Sequence, residues 1–543
     1  MRNIIIPSAI LVPKELQSIG KLPPVIYPIN QKTVFDFLYA QYKNIAENFL
    51  ISCYEESDKV YLRLNTYKDE RIKIIKLSEL QDLGHSIYEA MDDETTPVII
   101  NFADTIIMAD IFNEDVDAFF YQEDYVTEQW TYFEEYNGAI TKIIDKNGIF
   151  NEKKRLFAGV FQIMHPLDFK ECMEMAFEET NNQISTFYRA LVLYSKQHAM
   201  KPVYTDNWFD IGHLDKYYSS LLEVKAREFN HITIDKQRGI LRKTSSDKEK
   251  FIGEILWYLK LPHDIEYVRP RIFQYSIDYE NPYIEMEYYS YHTLHELYLY
   301  SDLTIGQWKT IFERIKFFCD DLSKYTVKDI YVRESLEEMY LNKTKARLNS
   351  LRENENFSKF FTNSFYVNGI KYKTFSSIIR KLEDIINELY DIDTFSIIHG
   401  DLCFTNILVD SNFNFIKVID PRGKFGHYDI YGDKRYEIAK LFHSIDGGYD
   451  FIIKDLFDLN FDSNRLSIEY KIQNRTRNFD LFEMFLSVFE DDVGNDKEKI
   501  ELIEALLFFS MIPLHKESVR HQFAMLATGI IILDRLTDIR EKS

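Results

Sequence analysis

Short apolar runs alternate with amphipathic stretches through residues 1–222. Residues 3–7 (NIIIP), 97–108 (PVIINFADTIIM) and 155–164 (RLFAGVFQIM) read as buried strands, and residues 33–50 (TVFDFLYAQYKNIAENFL) as an amphipathic helix. Short buried strands alternating with helices predict an α/β sheet with parallel neighbours. The character changes at 219–235, where a helix-like SSLLEVKAREF leads into two strand-like runs around KQRG, the pattern of an antiparallel hairpin. A helix follows through DKEKFIGEILWYLKL to Pro262, then a strand at 283–290 (YIEMEYYS). Residues 306–390 and the chain after 425 are mainly helical by period. The closing apolar stretch, FAMLATGIIILDRL, is short and bounded by charges, which predicts a core helix and no membrane span.

Composition narrows the function classes. A chain of 543 residues exceeds one ordinary core, and 42 Phe with 37 Tyr favour ordered cores over disorder. The net charge of −22 opposes a nucleic-acid or anionic-membrane partner, since either needs a basic face. A small nucleotide is compatible, because a few lysines and a metal meet its charge locally. Cys53, Cys172, Cys319 and Cys403 are scattered with no CxxC pair, so neither a zinc site nor a disulfide framework is indicated. The N-terminal apolar run is broken by Pro7 and Pro13, unlike a signal peptide, and a cytoplasmic location is expected.

The sharpest chemistry lies in FSIIHGDLCFTNILVDSNFNFIKVIDPRG, residues 395–423. Phosphoryl transfer needs a carboxylate to orient the attacking hydroxyl, and oxygen ligands that hold Mg²⁺ against nucleotide phosphates. Asp401, Asn406 and Asp420 supply that set. The segment resembles the catalytic loop and metal-binding strand of the aminoglycoside phosphotransferase/choline kinase family, whose fold is protein-kinase-like. The resemblance implies that Asp401 is the catalytic base, that Asn406 and Asp420 bind Mg²⁺, and that His399 supports the loop. Upstream, Lys243 in a strand and Glu254 on the next helix form the pair that would bind the α/β-phosphates of ATP or another NTP. YIEMEYY (283–289) is a candidate hinge for the base. The family's Gly-rich phosphate loop is missing; AREFNHITID stands in its place. Residues 426–452 resemble the segment after the metal aspartate in bacterial members linked to surface-polysaccharide genes, with Asp433 and His443 as candidate substrate contacts.

NWFDIGHLDKYYSSL (207–221) resembles a signature late in sugar-nucleotide pyrophosphorylases, which have a Rossmann-like GT-A fold. The resemblance implies that Asp210 is one of two acids holding Mg²⁺ on a nucleoside triphosphate. Asp104, in INFADTIIMAD, matches the second, with Ala103 where the family has Gly. Lys21 fits the family's phosphate-touching lysine. The opening departs from the pattern: IIIPSAILVPKELQSIGKLPPVIYPI has no Gly-rich turn and no Arg, and a loop carrying Cβ atoms cannot approach a pyrophosphate as closely as glycine can.

The expectation is an α/β Rossmann-like nucleotidyltransferase (GT-A) domain at 1–222, then an α+β protein-kinase-like phosphotransferase domain with a large helical C-terminal lobe at 228–543. The two together imply Mg²⁺-dependent transfer of an NTP γ-phosphate to a hydroxyl of a small sugar or alcohol, coupled to nucleotidyl transfer, in bacterial surface-polysaccharide precursor synthesis. Two alternatives stay open: a kinase with a non-catalytic N-terminal binding domain, and a pseudoenzyme scaffold.

Overall fold

A computed structural model describes all residues except 30, 92–94, 108–113, 127–129, 146–148, 180–183, 214–216, 218–231, 236, 474–478 and 542–543. The chain forms two compact units, residues 1–225 with Tyr300–Asp302, and the remainder. The helix-like stretch expected at 219–229 lies outside the described residues.

Unit 1 is built on a nine-stranded sheet. Its centre is parallel: β1 (Arg2–Ser8) pairs with β2 (Ala46–Cys53) and β4 (Val98–Asn101), and β2 pairs with β3 (Ile72–Lys76). β5 (Thr105–Ile107) leaves the sheet after a turn. β6 (Ala118–Val126), β7 (Thr131–Tyr136), β8 (Ala139–Asp145), the long β9 (Ile149–Ile163) and β10 (Lys201–Tyr204) add the mixed half, with β9 antiparallel to β4. β11 (Trp208–Asp210) pairs with β5 in a separate ribbon. Ile4, Ile5 and Ile6 of β1 are all fully buried, as a strand covered on both faces requires. Pro7 is tolerated there because β4 reaches only from Asn3 to Ile5. One face packs on α2 (Pro166–Glu178) and α3 (Thr186–Gln197), through Phe161, Phe169 and Phe187 among others.

The helical period expected over 33–50 ends early. α1 (Val34–Tyr42) starts at a Thr33–Asp36 capping box and stops at Lys43, and Phe49–Ile51 belong to β2. The apolar run there is better satisfied between two parallel strands than on one helix face.

Unit 2 opens with a four-stranded antiparallel sheet in the order β12 (Ile232–Asp235), β13 (Ile240–Lys243), β15 (Tyr283–Glu287), β14 (Ile272–Ser276). α4 (Lys248–Lys260) follows β13 and is N-capped by Asp247. The rest is mostly helical: α5 (Ile305–Ser323), α6 (Lys343–Asn349), α7 (Lys434–Ile445), α8 (Lys497–Met511) and α9 (Val519–Leu536). Short strands β16 (Phe395–Ile397), β17 (Ile407–Val409) and β18 (Ile416–Val418) interrupt it. Residues 365–372, expected to be helical, form a tight hairpin around Asn368 and Gly369, both with positive φ. Turn chemistry there overrides the surrounding period. The closing apolar stretch is α9, a buried core helix, and among the described residues no helix is long and apolar enough to cross a membrane. All four cysteines are buried and unpaired.

Candidate active sites

In unit 2 the site grows from two short strands. β17 pairs with β18 so that Ile407 faces Val418, and the Ile419 N–H donates to the Asn406 carbonyl at 3.0 Å. Asn406 and Asp420 therefore leave the same end of one ribbon. Strand β16 delivers the loop before it. There the N–H groups of His399 and Gly400 each donate to the Glu437 carboxylate at 2.7 Å. His399 is fully buried; its Nε2 meets the Ile419 carbonyl at 3.0 Å and its Nδ1 accepts the Asp401 N–H at 3.3 Å. Burial pulls the imidazole down to about 4, so it is the neutral ring that ties loop to ribbon.

Asp401 is held by two partners. The Lys440 ammonium lies 2.8 Å from Oδ1, and the Asn406 amide donates to the Asp401 carbonyl at 2.9 Å and lies 3.4 Å from Oδ2. Burial works against the Asp401 charge, but the Lys440 ammonium outweighs it and holds the carboxyl at about 2. The group is an ionised carboxylate with one oxygen anchored.

The second cluster joins Lys243, Glu254 and Asp420. The Lys243 ammonium is 2.7 Å from Glu254 Oε1 and 2.7 Å from Asp420 Oδ1. Burial opposes its charge, and the two carboxylates more than restore it, so its pKa is raised. The approach depends on glycine. A Cβ on Gly423 would lie 2.1 Å from the Gly253 carbonyl carbon, and Gly423 has φ +67. Only with both glycines bare does α4 come close enough for Glu254 to meet Lys243 beside Asp420.

The donors fit a hard divalent cation. Among the described residues the Asn406 Oδ1 has only a long 3.4 Å contact from the Thr405 hydroxyl, and the Asp420 side chain is 49% exposed. An amide oxygen and a carboxylate on adjacent ribbon ends suit Mg²⁺.

Two residues escaped the sequence reading, Lys440 and Glu437. Every α7 residue from Arg435 to Ile445 is buried, yet the helix carries Arg435, Glu437 and Lys440, and the local sequence pattern does not mark them out. Charges on a helix buried all round need partners, and these find theirs in Asp433, the loop amides and Asp401. Asp433 and His443, which the sequence leaves open between substrate contacts and groups satisfied within the core, both lie in the core. Asp433 caps α7, pairs with Arg435 at 2.8 Å and accepts from the Tyr340 hydroxyl, all buried. His443 is fully buried between the rings of Tyr449 and Phe508. The candidate hinge is β15, whose backbone is used in the sheet as far as Glu287; the Tyr288 N–H bonds the Gly239 carbonyl.

In unit 1 the β5–β11 ribbon pairs Asp210 with Thr105, and the Ile211 N–H donates to the Asp104 carbonyl. The two acids are thereby neighbours. A Cβ on Gly212 would sit 2.6 Å from Asp104 Oδ2 and 3.2 Å from Asp210 Oδ1. Asp210 accepts from Trp130 Nε1 at 2.5 Å and contacts His213 Nδ1 at 2.9 Å. Burial, with the Asp210 charge beside it, pushes Asp104 up to about 6. Paired carboxylates of this kind suit a divalent cation. Lys21 is exposed, and its ammonium pairs with neither acid among the described residues. In the loop after β1, the Leu11 N–H donates to Glu55 Oε2 at 3.1 Å and the Glu55 N–H to the Ala9 carbonyl. A carboxylate thus occupies an amide of the turn where the pyrophosphorylase pattern has its phosphate cradle.

No family model matches the sequence, and no curated protein matches it. Solved structures do. A nucleoside-diphosphate-sugar pyrophosphorylase from Vibrio cholerae RC9 is similar at 14% identity over 40% of this chain and 99% of that one, with a TM-score of 0.34. The CTP:phosphocholine cytidylyltransferase of Streptococcus pneumoniae is similar at 15% identity over 41% of this chain and 100% of that one, with a TM-score of 0.35. The structure of the gentamicin-APH(2")-IIa complex is similar at 16% identity over 57% of this chain and 90% of that one, with a TM-score of 0.36.

Proposed function

We infer that unit 2 is a phosphotransferase that moves the γ-phosphate of ATP or another NTP to a hydroxyl of a small sugar or alcohol. The observation that supports this best is the convergence of Asp401, Asn406 and Asp420 at one ribbon end, with Lys440 on the first and Lys243 on the last. Asp401 orients the acceptor hydroxyl through Oδ2 while Lys440 fixes Oδ1. With a carboxyl near 2, it takes the proton only as the oxygen–phosphorus bond forms. Lys243 offers its ammonium to the nucleotide phosphates, in place of Asp420. Asn406 and Asp420 would hold Mg²⁺, which would neutralise charge on those phosphates. The test is calorimetric titration of the full chain with MgATP. Lys243→Met is expected to weaken binding at least tenfold, about 1.4 kcal/mol; unchanged affinity would remove Lys243 from the nucleotide site.

For unit 1, Asp104 and Asp210 support nucleotidyl transfer on a divalent cation. The two reactions fit in sequence, because a kinase yields a phosphate ester and a nucleotidyltransferase condenses that ester with an NTP. Such activated groups feed surface-polysaccharide synthesis. The Glu55–Leu11 bond favours the other reading, a unit 1 that binds a ligand without chemistry. Pyrophosphate release separates them: with NTP, Mg²⁺ and a panel of sugar and alcohol phosphates, an active unit releases pyrophosphate and Asp210→Asn stops it. Silence across the panel would leave the binding role.

A further inference from the structure

Among the described residues, three basic side chains near Asp401 form no ion pair. Lys343 and Arg347 are four residues apart on α6, so they share a face. The turn before them, Glu337–Asn342, is π-helical, a distortion concentrated at functional sites. Its Tyr340 ring packs on Tyr436 of α7, with centroids 6.4 Å apart. Arg422 reaches the same place from the ribbon: its guanidinium donates to the Tyr436 hydroxyl at 3.0 Å, and a Cβ on Gly400 would lie 2.9 Å from its Cβ. Tyr436 and Lys440 are one turn apart on α7, and Lys440 holds Asp401. Arg347 donates to the Ser510 carbonyl at 3.1 Å, a neutral partner. Among the described residues, Lys343, Arg347 and Arg422 form no ion pair with any carboxylate, although the chain has 87 acidic residues against 65 basic ones. All three are half-buried.

The cost of this crowding shows at Lys343. Burial, then the charges of Arg422, Arg347 and Lys440, pull its ammonium down to about 6. Asp401 pulls the other way without offsetting them, its carboxylate being already paired with Lys440. Half-buried like charges left under-compensated are unfavourable unless a ligand supplies a counter-ion.

We propose that Lys343, Arg347 and Arg422 form an anion subsite, and that the hydroxyl acceptor carries a phosphate or carboxylate group which this subsite seats while its hydroxyl faces Asp401. The proposal rests on the phosphotransferase reading of unit 2 and adds the acceptor's charge class. Neutral and cationic acceptors bring no charge to offset Arg347 and Arg422 or to hold the proton on Lys343, so the subsite selects against them.

Two measurements on the full chain test it. In the first, MgATP turnover is measured with matched neutral polyols, their phosphate monoesters, their carboxylates and amino sugars. Turnover is expected with an anionic class, and the phosphate and carboxylate arms tell which group is seated. Lys343→Ala and Arg347→Ala should each raise the acceptor KM about tenfold or more and leave the MgATP KM within about threefold, with Lys343→Arg restoring most of the loss. Preference for neutral or amino acceptors, or a change confined to the MgATP KM, would overturn the proposal. The second needs no acceptor: inorganic phosphate binding is followed by calorimetry in wild type, Lys343→Ala and Asp401→Asn. The expected result is at least fivefold weaker binding in Lys343→Ala, with Asp401→Asn still binding. Equal binding by wild type and Lys343→Ala would overturn it. Failure of the kinase reading shows separately, as turnover that survives Asp401→Asn.

Discussion

Glu437 carries the loop through a single carboxyl that accepts two backbone N–H groups. Burial raises it to about 7 from an ordinary 4.5, with the two N–H bonds only partly offsetting. A carboxyl whose folded pKa is raised binds its proton more tightly in the folded state, so stability falls as pH rises between those values. The drop expected from Glu437 over pH 4.5 to 7 is about 3 kcal/mol. Glu437→Gln keeps one acceptor, loses about 1–3 kcal/mol and removes the slope. Urea unfolding of both proteins across that range measures it: the stability gap should narrow as pH rises, and a constant gap would show that Glu437 does not titrate there. At this scale the sequence was legible where spacing is short. Asp401 and Asn406 are five residues apart and Lys243 and Glu254 eleven, and both pairs meet. Glu437 was not legible, because its contacts span 37 and 38 residues and depend on how α7 crosses the loop.

Elements that the sequence marks by strong period or turn chemistry form where expected: the β12–β13 hairpin, α4 ending at Lys260 before Pro262, and β15. The errors come where one pattern serves two elements. Residues 33–50 join the end of α1 to the start of β2 without a Gly or Pro between, so the helical period runs on past the true boundary. The β5–β11 ribbon could not be read from local pattern, because its partners are about a hundred residues apart, yet it brings Asp104 beside Asp210. Glycine placement decides two of the close approaches. Gly212 admits the Asp104 carboxylate, and Gly253 with Gly423 admits α4 to the ribbon end. Neither role is visible before the fold is known.

For the whole molecule, the charge of −22 and the chemistry pull in opposite directions. Acids dominate the chain, while the surroundings of Asp401 gather Lys440, Arg422, Lys343 and Arg347. Each unit holds its own set of carboxylates, Asp104 with Asp210 in one and Asp401 with Asp420 in the other. Under the proposed function phosphoryl and nucleotidyl transfer are therefore separable, and the first depends on Asp401. The most direct measurement is loss of the γ-phosphate from MgATP by the full chain, followed by phosphorus NMR with the acceptor panel or water as acceptor. Asp401→Asn is expected to slow transfer at least 100-fold, and about 1,000-fold with a good acceptor, while the MgATP affinity stays within about threefold. Transfer at the wild-type rate by Asp401→Asn, or a wild-type chain that neither binds nor consumes MgATP, would contradict the account.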